Sequence, residues 1–328
     1  MRFYFFASIA FVLVVSVTSS ILVLSLVKPS SETPQVLEAA VVDESEEEKS
    51  VRLLFFGDMM FGRNVEVLTN EYGLDYPFEK IDALIAEWDF VHANLEGPIP
   101  ETHTPTQTGS VNFSFKEEVA GLLARHGIDA VTLANNHTLD KGTAAYENTK
   151  VLLGQAGVLY GGHSTSMAAE YILHTTIEDQ PFAFASFNVT FPFNDQGAAI
   201  QTVRELAESS SELIIVNVHW GAEYETTSNA TQQELAHAFI DAGADLIIGH
   251  HPHVVQEYEE YNDRMIFYSL GNFIFDQYFS DETQQGLAVG VEIAESGSTY
   301  TLYPFVSVKS QPELLAGQGE SLANLLML

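Results

Sequence analysis

The sequence predicts a mixed α/β fold, and three features carry that reading. From Val51 onward, short β-rich runs alternate with helical stretches, the pattern of a sheet covered by helices. Three helical stretches stop at a glycine, Gly127, Gly157 and Gly243, as a left-handed C-terminal cap requires. Two late runs, Leu287–Ile293 and Tyr300–Val308, follow one another around Gly297, as a hairpin needs.

The N-terminus stands apart from this pattern. No charged residue occurs from Phe3 to Val27. As a helix this run would rise about 37 Å, more than the roughly 30 Å of a hydrocarbon core. It is longer than the apolar region of an ordinary signal peptide, and Ser19 and Ser20 are followed by more apolar sequence. Residues 1–28 are therefore expected to be an uncleaved signal anchor, with a cleaved signal peptide as the alternative. Arg2 precedes the run and Lys28 follows it, a weak charge bias. Acidic residues crowd the C-terminal side, which is placed outside the cytoplasm, giving a single-pass protein of the cell membrane. Residues 29–50 read as an extended acidic linker, with Pro29, Pro34 and the run Glu44-Ser45-Glu46-Glu47-Glu48.

In the body, each apolar run leads directly into polar residues. Val51–Phe56 leads into Gly57-Asp58, Asp89–Ala93 into Asn94-Leu95-Glu96-Gly97, and Asp129–Ala134 into Asn135-Asn136-His137. Glu212–Val218 leads into His219-Trp220-Gly221, Asp245–Ile248 into Gly249-His250-His251-Pro252-His253, and Met265–Leu270 into Gly271-Asn272-Phe273. Helices are expected between them at Pro77–Trp88, Lys116–His126, Thr143–Ala156 and Gln232–Ala242. Ala183–Asn188 and the two late runs are expected as strands without intervening helices. The whole reads as one domain over residues 51–310, with a tail at 311–328.

Charge narrows the function. Among 328 residues, Lys and Arg number 13 against 45 Asp and Glu, a formal net charge of -32. A duplex nucleic-acid binder must neutralise phosphates with Lys and Arg, and a polybasic grip on anionic lipid has the same need; both are excluded. There is no cysteine, which removes disulfides, thiolate-bound zinc, iron–sulfur clusters and thiol nucleophiles.

The positions of the polar residues are informative. Asp58, Glu96, Asn136, His137, His219, His251 and His253 each lie just past the end of an apolar run, five runs in all. In open α/β sheets that edge is where ligands bind. Carboxylate and amide oxygens with imidazole nitrogens suit a divalent Mn, Zn, Fe or Mg. Residues two apart on an extended segment point the same way, and Pro252 favours extension of His251. Both His251 and His253 are thus expected to face one site, with His250 behind them. Asn136 offers an amide oxygen to a hard metal, and His137 a titratable imidazole. Asp140 either orients His137 or caps the helix beginning at Thr143. His92, His103, His126, His163, His174 and His237 are read as surface or packing residues.

Six blocks together resemble a known family. They are Gly57-Asp58-Met59-Met60-Phe61-Gly62-Arg63, Ala93-Asn94-Leu95-Glu96, Ala134 to Gly142, Val218-His219-Trp220-Gly221-Ala222-Glu223-Tyr224, Gly249 to His253 and Tyr268 to Asp276. In order and spacing this set resembles the CapA family, the poly-gamma-glutamate capsule synthesis proteins (PGA_cap), from about Val51 to Val308. That family resembles the calcineurin-like metallophosphoesterases, which implies a sandwich of two β-sheets flanked by helices with a two-metal site at the strand ends. The resemblance implies Asp58, Glu96, Asn136, His219, His251 and His253 as metal ligands and His137 as the group that serves the leaving group. It leaves Asn94, Asn135, Asp140, Glu223, His250 and Asn272 behind the ligands or against the substrate. One departure stands out. Met60 occupies the place of a metal-binding His, so either Asn94 or Glu223 compensates or one metal binds weakly.

The implied function is cell-surface polymer assembly or export, with an anionic polymer as substrate and membrane synthase partners. The alternative is hydrolysis of a phosphate ester or amide outside the cytoplasm. The charge bears on both, because an acidic surface repels a polyanion at low salt. Two divalent ions would add about +4 locally and make the cleft the attractive spot.

Overall fold

The structure is a computed structural model that describes residues 49–191 and 194–315 and the backbone of residues 320–321. The expected signal anchor, nearly all of the acidic linker and most of the C-terminal tail lie outside the described residues. Among the described residues, no helix is long and apolar enough to cross a membrane.

The first half contains β1 (Val51–Met59), α1 (Arg63–Tyr72), α2 (Asp82–Ile85), β2 (Phe90–Leu95), α3 (Glu118–Arg125), β3 (Ala130–Thr132), α4 (Gly142–Ala156) and β4 (Leu159–Gly161). The second contains β5 (Leu173–Ile177), β6 (Gln180–Asn188), α5 (Gln196–Ser209), β7 (Leu213–His219), α6 (Ala230–Ala242), β8 (Leu246–His250), β9 (Tyr258–Tyr261) and β10 (Arg264–Phe267). The chain then returns to the first half as β11 (Asn272–Ile274), β12 (Gln285–Ala294), β13 (Gly297–Val308), β14 (Gln311–Leu314) and β15 (Glu320–Ser321).

Two sheets result. One has the order β14-β13-β12-β1-β2-β3-β4, with β11 also on β1 and β15 on β13; the other has the order β5-β6-β7-β8-β10-β9. The neighbours β1 to β4 are parallel, as are β6, β7, β8 and β10. The late hairpin is present as expected, with Gly297 at φ 132° pairing with Ala294.

Strand periodicity explains how the layers form. Successive side chains of a strand point to opposite faces. On β1, Leu53 and Phe55 enter a core shared with Phe182, Phe184, Ile215, Ile248 and Phe267 of the other sheet. Leu54 and Phe56 enter an outer core with Val65, Leu84, Leu122 and Leu153 from helices α1 to α4. A third core packs Ala199, Val203, Leu206, Leu235 and Phe239 of α5 and α6 against Val216 and Ile247. Central strands buried on both faces read as continuous apolar runs, which is why they were visible in the sequence.

Two expectations need correction. The helix expected at Pro77–Trp88 is mostly successive tight turns, with hydrogen bonds from Phe78 N to Asp75 O and from Ile81 N to Phe78 O, and only α2 is helical. Phe78, Ile81, Leu84 and Ile85 are nonetheless buried, so the apolar spacing was satisfied by turns rather than by one helix. The strand at Ala183–Asn188 was expected without a following helix. Instead α5 separates β6 from β7, and the two strands are parallel. The cue was present: Asp195 caps α5 by accepting from Ala198 N, and Ala199, Val203 and Leu206 recur at helical spacing. Helix α1 was also unanticipated.

Gly57 shows how tightly the sheet edge is built. A Cβ there would lie 1.9 Å from Gly271 O, on the strand end beside β1. Overpacking costs about 1–3 kcal/mol in an ordinary core, and here the obstacle is backbone. Gly57→Ala is expected to destabilise the protein by at least the upper part of that range, measured as a lowered urea midpoint at unchanged slope.

Candidate metal site

The parallel strands of both sheets end at one edge of the sandwich, and the polar residues meet there. Asp58 ends β1, Asn94 and Glu96 lie at the end of β2, and Asn135 to His137 follow β3. His219 ends β7, His250 to His253 end and follow β8, and Asn272 begins β11.

Asp58 is fully buried between the two sheets. It accepts hydrogen bonds from Asn94 Nδ2 at 2.7 Å and from the His251 backbone N–H at 3.1 Å. His250 Nδ1 and His253 Nδ1 each lie 3.3 Å from its oxygens. Burial alone would raise its pKa, but the two imidazoles outweigh that and hold it well below the usual carboxylate range.

Glu96 is equally buried, yet its Oε1 has no hydrogen-bond partner among the described residues. His253 Nε2 stands 3.7 Å and His137 Nε2 3.9 Å from that atom. Burial pushes Glu96 up to about 7. His253 gives its Nδ1–H to Asn272 Oδ1 at 3.0 Å, which leaves Nε2 free to point at Glu96. Burial disfavours its charge, but Glu96 and Asp58 more than compensate and raise it to about 9.

A second group of ligand atoms adjoins the first. His219 Nε2 meets Asn136 Oδ1 at 2.9 Å, and the rings of His219 and His251 are 4.7 Å apart. Burial holds both histidines neutral, His219 well below its usual value and His251 at about 3. His251 Nδ1 is buried without a partner. Ligand atoms of Asp58, Glu96 and His253 lie within 4.8 Å of one another, as do those of Glu223, His251 and His253.

These residues fit a divalent cation. Buried polar atoms are nearly always hydrogen-bonded, so an unpaired carboxylate oxygen at Glu96 and an unpaired imidazole nitrogen at His251 fit a cation in place of a hydrogen-bond donor. Oxygen and imidazole donors without thiolate suit Mn, Zn, Fe or Mg.

The remaining expected residues are also accounted for. Asn135 acts as a strut: its Nδ2 donates to Asn94 Oδ1 and to Leu95 O, both at 2.9 Å, and its Oδ1 accepts from His137 N and Thr138 Oγ1. Asn272 Nδ2 donates to the carbonyls of His253 and Thr283. Neither ring nitrogen of His250 makes a well-aligned hydrogen bond. Asp140 does not cap α4, which has no side-chain cap; its carboxylate accepts from His137 Nδ1 at 2.9 Å and Phe113 N at 2.6 Å. Met60 turns its sulfur to the Gly62 N–H at 3.0 Å and is buried in the outer core. Among the histidines set aside, His92 stacks on Phe184 and His126 on Phe78, as packing residues do.

One geometric expectation was wrong. His251 and His253 do not lie on an extended segment, because their φ angles are 96° and 59°. The loop bends so that His251 N–H reaches Asp58 and Pro252 O accepts from Tyr224 N. Both imidazoles still reach one cluster, through the bend rather than through strand alternation.

Arg63 was missed. It closes the first block, at φ 49°, and was given no role there. Its guanidinium pairs with Asp276 and sits 5.1 Å from the Phe113 ring centroid and 5.5 Å from that of Phe275. Those rings pack on His137 and His253, at 4.2 and 4.9 Å. The signal was its place: one of only 13 basic residues, next to a strand-end ligand.

With the site described, the sequence comparison decides the family. The profile of the bacterial capsule synthesis protein PGA_cap matches residues 52–277. The chain belongs to this family. The capsule biosynthesis protein CapA of Bacillus anthracis is 29% identical over 284 residues, 80% of this chain and 69% of that protein. The PGA biosynthesis protein CapA of Bacillus subtilis (strain 168) is 31% identical over 263 residues, 74% and 68% of the two chains. Among solved structures, the purple acid phosphatase PPD1 of yellow lupin covers 82% of this chain and 53% of its own at 10% identity, with a TM-score of 0.40. That likeness is too distant to bear on fold or chemistry. The PGA_cap match ends at Gln277, so it takes in all six blocks.

Two outcomes follow for this site. Metal ligands must be deprotonated, and His253 near 9 and Glu96 near 7 hold protons below those values. Binding of Mn²⁺ should therefore release about one proton between pH 7 and 9 and a second below 7, so apparent affinity falls as pH falls. Calorimetry in buffers of different ionisation enthalpy measures this. At His137, burial lowers the pKa but the Asp140 hydrogen bond and Glu96 raise it further. Asp140→Asn is expected to move the His137 titration to lower pH, read by NMR.

Proposed function

We propose that this protein is a membrane-anchored component of capsule or poly-gamma-glutamate assembly or export, and that its strand-end cluster is a divalent-metal site of the phosphoesterase kind. The observation that carries the reading is the convergence of Asp58, Glu96, Asn136, His219, His251 and His253 from five separate segments at one edge. Membership of the capsule synthesis family supports the biological role. The uncharged run from Phe3 to Val27 supports the anchor.

A bound metal would supply Lewis acidity and activate water. The remaining work falls to the side chains. In its protonated form His137 donates through Nδ1 to Asp140 and turns its Nε2–H toward the cluster, available to a leaving oxygen or nitrogen. Asp140 fixes the ring's orientation and favours the protonated state. Arg63, paired with Asp276, braces Phe113 and Phe275, the rings that pack on His137 and His253. A metal-dependent hydrolase acting on another extracytoplasmic phosphate ester or amide is the second reading, favoured by the same His137–Asp140 pair.

The test is metal analysis of the purified full chain together with turnover of phosphodiesters and gamma-glutamyl peptides. Wild type should retain divalent metal, and the His251→Ala/His253→Ala double variant should lose both metal and turnover. Normal turnover in that variant would falsify the metal reading. Turnover of gamma-glutamyl peptides favours the polymer role; turnover of phosphodiesters alone favours the second.

A further inference from the structure

By the resemblance, Met60 stands where a metal-binding His is expected, and two neighbours stood as candidates to replace that donor. Asn94 is already committed. Its Nδ2 donates to Asp58 Oδ1 at 2.7 Å, and its Oδ1 accepts from Asn135 Nδ2 at 2.9 Å. Both ends of its amide are spent on holding other residues.

Glu223 is differently placed. It lies on the loop after β7, and that loop is tied to the His251-Pro252-His253 loop on both sides of it. Trp220 N donates to His250 O at 3.1 Å, and Tyr224 N donates to Pro252 O at 2.8 Å. Gly221, at φ 78°, lies so close to Gln232 that a Cβ would approach its side chain to 2.8 Å. Tyr224 holds φ 67°, a costly conformation for a bulky residue that persists only where surroundings impose it. The loop is thus fixed where it presents Glu223. The carboxylate comes within 4.8 Å of ligand atoms of both His251 and His253. His251 is buried, and its Nδ1 has no partner among the described residues. A carboxylate within reach of two buried imidazoles, with room left for a metal at one of them, offers ligands for a hard or borderline cation.

We propose that Glu223 is a metal ligand of this centre and fills the coordination role that Met60 cannot. This rests on the metal reading above. The ligand set becomes Asp58, Glu96, Asn136, His219, Glu223, His251 and His253, richer in carboxylate than the set the family resemblance implied. An added carboxylate favours harder ions such as Mn²⁺ or Mg²⁺ over softer ones. Because Glu223 is exposed, it closes the centre from the solvent side.

The experiment is calorimetric titration of the metal-stripped full chain with Mn²⁺, for wild type, Glu223→Gln, Glu223→His, Glu225→Gln and Met60→His/Glu223→Gln. Loss of a partner outside the coordination sphere costs about 10–100-fold in affinity, and Glu223→Gln is expected to lose at least that much. Glu225→Gln, two residues along on the same acidic surface, should bind as wild type does. Recovery in Glu223→His, or in the Met60→His double variant, supports direct ligation. Met60 is buried, so Glu223→His keeps the test decisive if the double variant fails to fold. Unchanged binding in Glu223→Gln, equal losses at 223 and 225, or recovery in neither compensating variant overturns the proposal and leaves the metal reading standing. A wild-type chain that binds no Mn²⁺ overturns both.

Discussion

The buried carboxylate of Asp58 is the interaction on which the site depends. It is fully enclosed and receives Asn94 from its own sheet, and His250, His253 and the His251 N–H from the other. An ionised group in such a place is tolerable only if it is paired and hydrogen-bonded. Removing one partner of a buried pair costs about 3–5 kcal/mol. Asp58 therefore couples the C-terminal edges of the two sheets, and the loop after β8 bends to reach it. Glu96, one strand away, receives only a long hydrogen bond from Asn94 Nδ2, at 3.4 Å, and burial pushes it up to about 7. Adjacent carboxylates with opposite pKa displacements are the mark of a site arranged for ligation or proton transfer.

The way Asp58 reaches the interior is a backbone effect. On β1, Phe55 pairs with His92 and Asp58 with Asn94, so β1 spends one residue more than β2 between those pairs. A bulge of this kind re-aims the side chains beyond it. Phe56 lies in the outer core, and simple alternation would send Asp58 to that same side. The bulge turns it toward the other sheet. Gly57 sits inside the bulge against Gly271 O, which accounts for the glycine in the first block.

Surface charge and site chemistry are linked through the same geometry. A net charge of -32 gives an anionic substrate few places to rest. A cation held among Glu96, His251 and His253, as proposed, would concentrate positive charge at one cleft. The aromatic rings that flank Arg63 also contact His137 and His253. His137 and the candidate ligand His253 are thereby held in one packed unit.

Much of this was legible in the linear sequence. Central strands appeared because burial on both faces makes a run of apolar residues continuous, and the strand-end position of Asp58, Glu96, His219 and the His251/His253 pair follows from counting past those runs. Helix ends at Gly157 and Gly243 were readable because both adopt left-handed φ. What stayed hidden depends on contacts between residues far apart in the chain. His219 meets Asn136 across 83 positions and Asp58 meets His251 across 193, and no local pattern encodes either distance. The bend at His251 and His253, the pairing of Asp140 with His137 and the commitment of both ends of the Asn94 amide were decided by which hydrogen-bonding groups met after packing. The sequence by itself determined which residue types stand at the ends of the strands. Only the tertiary structure, by enclosing some polar atoms with partners and others without, decided which of them are left to bind a metal.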